Sequence, residues 1–150
     1  MAAVKLPITP LQVTRVGSRA TCDPAPLDTD EDWLMLIRAE DFGLLVDSLL
    51  AEGWEVGGSL IAPDDSSLPA EERFSSFRRD DQNLLITASE QFHRRFLAAS
   101  AFAKRMNLLS KSDRIALFQT VLYGNSCNAA FDHLPGVFAD FPPAGFEVAA

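Results

Sequence analysis

Two hydrophobic patterns near the start of the chain predict neighbouring strands. In residues 11–16, Leu-Gln-Val-Thr-Arg-Val, apolar and polar residues alternate, which is typical of a strand buried on one face. Residues 32–37, Asp-Trp-Leu-Met-Leu-Ile, are apolar after the first position, which indicates a strand buried on both faces. Between the two strands, Gly17-Ser18 ends the first, and a short polar helix or loop is expected to follow.

The middle of the chain predicts one helix and a group of short strands. Residues 41–52 carry apolar side chains at helical spacing, and Gly53 is a suitable stop. Residues 54–56 and 59–61 favour a short strand or hairpin arm, and the polar stretch 63–72 favours a loop. Residues 74–79 and 83–87 predict two paired strands or one long kinked strand.

The last part of the chain predicts two helices, over 89–107 with Ser89 as its cap and over about 110–122. Residues 1–10, which contain Pro7 and Pro10, are expected to be a loose arm, and residues 127–150 an irregular tail. The order of elements predicts an α+β fold, a small mixed β-sheet covered by helices, in a single domain over residues 1–150.

Composition excludes several classes of protein. The chain has 150 residues, 47% of them hydrophobic and 23% charged, which fits a globular domain with its own core. Neither an export signal nor an apolar run of membrane-spanning length is visible, so a cytoplasmic protein without a membrane partner is expected. Cys22 and Cys127 then read as free thiols. The net charge of −8 argues against duplex nucleic acid as a partner, but not against a metal-bound nucleotide.

The candidate chemistry lies between the two predicted strands. Asp30 and Asp32 are two residues apart at the start of the apolar strand, so their side chains are expected to project from the same face. Two neighbouring carboxylates repel each other unless a cation separates them, and their hard oxygens suit Mg²⁺. Upstream, Gly17 allows a close approach of the backbone to a phosphate, and Ser18 adds a hydroxyl donor.

This segment resembles the signature of nucleotidyltransferases of the DNA-polymerase-β-like superfamily, a Gly-Ser turn followed by an Asp-x-Asp pair that leads an apolar strand. Thr29 stands where the family usually has Ser or Thr. Residues 78–86, Arg-Arg-Asp-Asp-Gln-Asn-Leu-Leu-Ile, are similar to the family's third-carboxylate strand, with Asp81 as the match and Asp80 as the alternative. The resemblance covers roughly residues 12–87. It departs from the family at Thr21-Cys22, where a glycine is common, and in lacking a longer N-terminal helix.

The resemblance implies a small stand-alone nucleotidyltransferase-like core. Asp30, Asp32 and Asp81 would hold two Mg²⁺ (or Mn²⁺) ions and perform the catalysis, while Gly17-Ser18 would hold the β- and γ-phosphates. Arg19 would either contact phosphate or cap the turn. A nucleoside triphosphate, with ATP expected, would then donate its nucleoside monophosphate to a hydroxyl of a protein or a small molecule.

A second hypothesis is a protein that keeps the fold and acts as a binding or inhibitory module with little or no turnover. It would bind a partner through the 63–72 loop or the Phe-rich tail. Convergence of the three aspartates would favour the enzyme, and scattered carboxylates the binding module. Four basic residues on the last helices are either a solvated face or a contact to the triphosphate; they are Lys104, Arg105, Lys111 and Arg114. His93 is expected at the surface, and Trp33 and the helical phenylalanines in the core.

Overall fold

The computed structural model describes residues 4–26, 30–58, 60–61, 74–123 and 146–148. Its elements are β1 (Val4–Leu6), β2 (Gln12–Val16), α1 (Ser18–Thr21), β3 (Glu31–Leu36), a 3₁₀ turn (Ala39–Asp41), α2 (Phe42–Ala51), β4 (Glu55–Val56), β5 (Ser75–Arg79), β6 (Gln82–Thr87), α3 (Glu90–Met106), α4 (Lys111–Tyr123) and β7 (Phe146–Val148). No helix within these ranges is long and apolar enough to cross a membrane.

The main sheet has five strands in the order β2-β3-β6-β5-β4. Only the central pair, β3 and β6, is parallel, and its register places Asp32 opposite Asn83. Residues 75–79 and 82–87 form two paired strands rather than one kinked strand. The predicted α+β fold, a small mixed sheet covered by helices, is confirmed.

Strand β3 is buried on both faces, as its unbroken apolar run predicts. Trp33 and Met35 belong to a core cluster that also contains Leu45 and Leu49 of α2. Leu34, which points the opposite way, packs with Phe92 of α3 on the other face. Asp30 and Asp32 share the parity of Leu34, so they lie on the face that α3 covers.

Residues 4–10 are not a loose arm, which corrects the prediction from Pro7 and Pro10. Val4 and Leu6 are 0% and 1% exposed and belong to the same core as α2. Their strand, β1, pairs in parallel with β7, so residues 146–148 also depart from the predicted irregular tail. The prolines follow β1 instead of interrupting it, and burial of its alternating apolar side chains outweighs the local signal. Residues 124–145 and the predicted loop over 63–72 lie outside the described residues.

Helix α2 follows its predicted span and buries Leu45, Val46 and Leu49. Leu50 has the same helical spacing but is 47% exposed, because only one stripe of the helix faces the sheet. Gly53, which follows, has φ 89°, a left-handed conformation suited to a helix end.

Helix α3 begins as predicted at Ser89, whose hydroxyl accepts a hydrogen bond from the Phe92 N–H at 3.2 Å. Phe92 stacks on Phe74 with ring centroids 5.0 Å apart, and Phe96 meets Phe118 of α4 edge-on at 5.0 Å. The buried Arg95 donates to the Leu122 carbonyl oxygen at 2.6 Å. These contacts tie α4 to α3, and α3 to the sheet.

The prediction that His93 lies at the surface is wrong, since it is 4% exposed. Two arginines follow it in the sequence, but α3 is covered on more than one side and buries His93 together with its neighbour Phe92. Its Nε2 atom has no hydrogen-bond partner among the described residues. Burial, aided by the charge of Arg94, lowers the pKa of His93 from 6.5 to about 4.

Stability is therefore expected to fall as the pH drops from about 6.5 to about 4. Between these pH values the unfolded chain binds a proton at His93 and the folded chain does not, so acid favours unfolding. The full decrease in the free energy of unfolding is about 3 kcal/mol. Urea unfolding of the wild-type protein and of His93→Phe at pH 7, 5.5 and 4.5 measures this. The gap between the two stabilities should change with pH, and parallel pH profiles would contradict the assignment.

Candidate functional site

A cleft of about 630 Å³ opens where the main sheet meets α4. The β2–α1 junction contributes Gly17, Ser18 and Thr21, the sheet contributes Asp30, Asp32, Arg78 and Asn83, and α4 contributes Lys111, Arg114, Ile115 and Phe118. Two carboxylates thus share one cavity with three basic side chains. Mixed charge of this kind suits a ligand that carries phosphates together with a cation.

The structure brings Asp30 and Asp32 together. The amide nitrogen of Asn83 donates to Asp32 Oδ1 at 2.9 Å and lies 3.3 Å from Asp30 Oδ2. The Arg78 guanidinium forms an ion pair with Asp30 Oδ2. Asn83 and Arg78 therefore hold both carboxylates at the cleft, and they do so from the neighbouring strands β6 and β5.

Ionised Asp32 is unfavourable in this setting. Burial raises its pKa above the ordinary value of 3.8, and the nearby negative charge of Asp30 raises it further. The hydrogen bond from Asn83 and the charges of Arg19 and Arg78 act in the opposite direction. A cation placed between the carboxylates would relieve the cost, which is the usual reason for such a pair at a binding site.

Gly17 allows the chain to turn directly against Asp32. Its φ of 75° and ψ of −173° lie in a region that is essentially restricted to glycine. A Cβ atom built there would lie 2.0 Å from Asp32 Oδ2. The Gly17 carbonyl oxygen accepts from the N–H groups of Ala20 and Thr21 at 3.0 and 3.1 Å, so the turn leads straight into α1.

Arg19 is not among the residues that line the cleft. Its Nη1 atom lies 3.5 Å from Glu31 Oε1, and Arg15 approaches the same oxygen at 3.5 Å. The guanidinium thus forms an ion pair with β3, and its predicted contact to phosphate or to the turn stays a prediction.

Asp81 does not join the other two aspartates, which corrects the predicted three-carboxylate set. It occupies the exposed turn between β5 and β6, and its carbonyl oxygen accepts from the Glu31 N–H at 2.8 Å. Its rival, Asp80, has φ 53° in the same turn. Neither lines the cleft, and the ranges that the structure describes contain no group of three or more His, Cys, Asp or Glu placed to hold a metal ion. The residue beside Asp32 is Asn83.

The donor atoms nevertheless fit one divalent ion. Mg²⁺ is commonly bound by one or two carboxylates together with substrate phosphates. Asp30 and Asp32 supply the carboxylates, and the Asn83 amide oxygen and the Ser18 hydroxyl are further hard donors at the same cleft. Arg78 already places a positive charge against Asp30. A bound ion would therefore share the Asp30 carboxylate with this guanidinium.

Helix α4 supplies the opposite wall. Arg114 donates to the carbonyl oxygens of Leu108 and Leu109 at 2.9 and 2.8 Å and to the Cys22 thiol at 3.3 Å. Lys111 is exposed at the start of the helix. Of the four basic residues noted in the sequence, only these two line the cleft.

Sequence reasoning assigned no role to Asn83 or Ile115 and placed Phe118 in the core, so all three were missed as residues that line the cleft. Asn83 follows Asp81 at strand spacing, but its position beside Asp32 depends on the pairing of β3 with β6. Ile115 and Phe118 are three residues apart on α4, which is helical spacing, yet the pattern alone does not show what they face.

Comparison with known proteins gives little further information. No protein-family model matches the chain. No curated protein matches it either. Among solved structures, the conserved protein GrpB from Enterococcus faecalis is similar over 82% of this chain and 81% of its own, with 16% sequence identity and a TM-score of 0.47. The fold assignment above rests on strand order and register, and no function is taken from this similarity.

Proposed function

We propose that this protein is a metal-dependent nucleotidyltransferase that moves a nucleoside monophosphate from a nucleoside triphosphate, with ATP as the expected donor. The observation that carries the proposal is the cleft in which Asp30 and Asp32 face the basic residues Lys111 and Arg114. The Gly-Ser turn before the two aspartates, which resembles the nucleotidyltransferase signature, supports the same function.

Each part of the cleft has a role in this proposal. Asp30 and Asp32 hold Mg²⁺ or Mn²⁺, with the Asn83 amide oxygen as a further donor. When bound, such an ion neutralises charge on the phosphate oxygens. The Ser18 hydroxyl and Lys111 bind the β- and γ-phosphates, and glycine at position 17 allows the turn that carries Ser18 to lie directly against Asp32. Asp81 lies outside the cleft and has no part in this proposal. Arg19 does not line the cleft either, but its positive charge acts on Asp32.

In the proposed reaction an acceptor hydroxyl oxygen attacks the α-phosphorus of the triphosphate. A new phosphorus–oxygen bond forms as the bond to the oxygen bridging the α- and β-phosphates breaks, and pyrophosphate leaves with that electron pair. The hydroxyl proton passes to water at the open side of the cleft. The net charge of −8 favours a protein or a small molecule as the acceptor over duplex nucleic acid.

One observation favours the alternative of a binding or inhibitory module with the same fold. Asp81 lies in the β5–β6 turn and Asn83 lies beside Asp32, so the described residues bring two carboxylates to the cleft instead of the predicted three. Such a module would bind or inhibit a partner, with little or no transfer of a nucleotide. The segments predicted to bind the partner, the 63–72 loop and most of the tail, lie outside the described residues.

Calorimetric titration of ATP into the protein, with Mg²⁺ and then with EDTA, tests nucleotide binding. Binding is expected only with the metal, and Lys111→Gln should weaken it about tenfold or more, because a hydrogen bond to a charged group contributes about 1.5–3 kcal/mol. Lys104→Gln, which alters a lysine outside the cleft, is the matched control. Equal affinities of the two variants would remove Lys111 from the site.

Transfer itself is measured with ATP labelled at the α-phosphate and a panel of protein and small-molecule acceptors. Metal-dependent labelling of an acceptor supports the enzyme. Binding without labelling supports the alternative. Absence of binding to any nucleoside triphosphate contradicts the enzyme and leaves the binding module, which a pull-down of partners then tests.

A further inference from the structure

We infer that Asn83 limits this site to a single divalent ion. That ion would contact the bound triphosphate, and no second ion would contact the acceptor hydroxyl. The inference rests on the proposed function, because it concerns how the cleft holds a metal-bound nucleotide. Four features of the described residues support it.

The first is the register of the central strands. In the parallel pair, Asp32 lies opposite Asn83, and residues opposite each other on neighbouring strands project from the same face. Asn83 shares its parity with Leu85, which packs with Leu34 and Phe92 on the α3 face. The position nearest to Asp32 on β6 is therefore directed into the cleft, and a neutral amide occupies it.

The second feature is the orientation of that amide. Its Nδ2 atom lies 2.9 Å from Asp32 Oδ1 and 3.3 Å from Asp30 Oδ2. An N–H group cannot ligate a cation, so one half of the Asn83 side chain is committed to holding the carboxylates. Only its neutral oxygen remains as a donor.

The third feature is the confinement of Asp81 to the turn. Strand β6 begins at Gln82, and the hydrogen bond of 2.8 Å from the Glu31 N–H to the Asp81 carbonyl oxygen holds the turn beside β3. The Asp81 side chain is exposed and outside the cleft.

The fourth feature is charge. Two carboxylates balance one dication, and Arg78 already neutralises part of the negative charge through its ion pair with Asp30. Among the described residues that line the cleft, a second dication beside Arg78 and Lys111 would meet no further carboxylate. Like charges held close together in a partly buried site are costly. A site with two metals needs additional anionic ligands to clamp both the attacking and the leaving oxygen.

The test counts metal ions per bound nucleotide. The protein is dialysed to equilibrium against Mn²⁺ and α,β-methylene-ATP, which resists cleavage between the α- and β-phosphates. Excess metal in the protein chamber is measured by mass spectrometry and excess nucleotide by absorbance. The wild-type protein should bind one Mn²⁺ per nucleotide, and Asn83→Asp should bind two.

Asp81→Asn is the matched control, and it should stay at one ion per nucleotide with unchanged affinity. Two ions in the wild-type protein, a loss of metal in Asp81→Asn, or a single ion in a folded Asn83→Asp would each overturn the inference. The wild-type and Asp81→Asn measurements decide the question even where Asn83→Asp fails to fold. Two ions with bound nucleotide leave the proposed function intact, whereas absence of nucleotide binding removes both.

Discussion

Replacing Asp32 with asparagine is expected to weaken metal-dependent ATP binding by on the order of 100-fold or more, because even changes around a metal's ligands cost 10–100-fold. The substitution keeps the size of the side chain and an oxygen that can accept from Asn83, so the loss would come from the missing charge. Calorimetric titration with Mg²⁺ measures it. Asp47→Asn, at an exposed position on α2, removes the same charge away from the cleft and should bind as the wild type does.

The same substitution should make the metal-free protein more stable at neutral pH. The pKa of Asp32 is raised on folding, so the folded chain holds this proton more tightly than the unfolded chain. That contribution to stability is present below the ordinary pKa of 3.8 and is lost as the pH rises through the folded pKa. Asparagine is neutral at every pH, so Asp32→Asn does not lose stability through ionisation at this position. Unchanged ATP affinity in Asp32→Asn would contradict the proposed site, whatever the effect of the substitution on stability.

Gly17→Ala is expected to destabilise the protein by about 3 kcal/mol or more. A backbone conformation reserved for glycine costs roughly 1–3 kcal/mol in any other residue, and crowding of a packed site typically adds roughly 1–3 kcal/mol. The added methyl group would lie 2.0 Å from Asp32 Oδ2, so the turn or the aspartate has to move. Urea unfolding measures the stability, and ATP titration of the folded fraction measures the effect on the cleft.

Gly43→Ala provides the matched control for this prediction. Gly43 lies within α2, and a Cβ atom there meets nothing within 4 Å. Alanine is the better helix former, so this variant should be more stable than the wild type by up to about 1 kcal/mol. A Gly17→Ala variant as stable as the wild type would mean that the turn does not press against Asp32.

The sequence predicts most of the elements, because their signals are local. The alternation in β2, the apolar run in β3 and the serine cap of α3 each depend on residues that are neighbours in the chain. The two-residue spacing also predicts that Asp30 and Asp32 lie together, whereas the pairing of β2 with β3 brings the turn that carries Ser18 to the same cleft.

The rest of the site depends on pairings that local patterns do not encode. Asp81 resembles a metal ligand in the sequence, but a shift of one or two residues along a strand decides which side chain reaches the cleft. The structure starts β6 at Gln82, and this leaves Asn83 beside Asp32. His93 was misplaced for a related reason, since two following arginines suggest a surface that the packing of α3 does not provide.

The pairing of β1 with β7 has a consequence for how this chain folds as it is synthesised. The register joins Val4 to Phe146 and Leu6 to Val148, so β1 pairs with a strand that is synthesised much later than β1 itself. Contacts between residues so far apart in sequence form slowly, since a long loop must close first. Until then the backbone of β1 presents an unpaired edge, which a second nascent chain or a chaperone can bind.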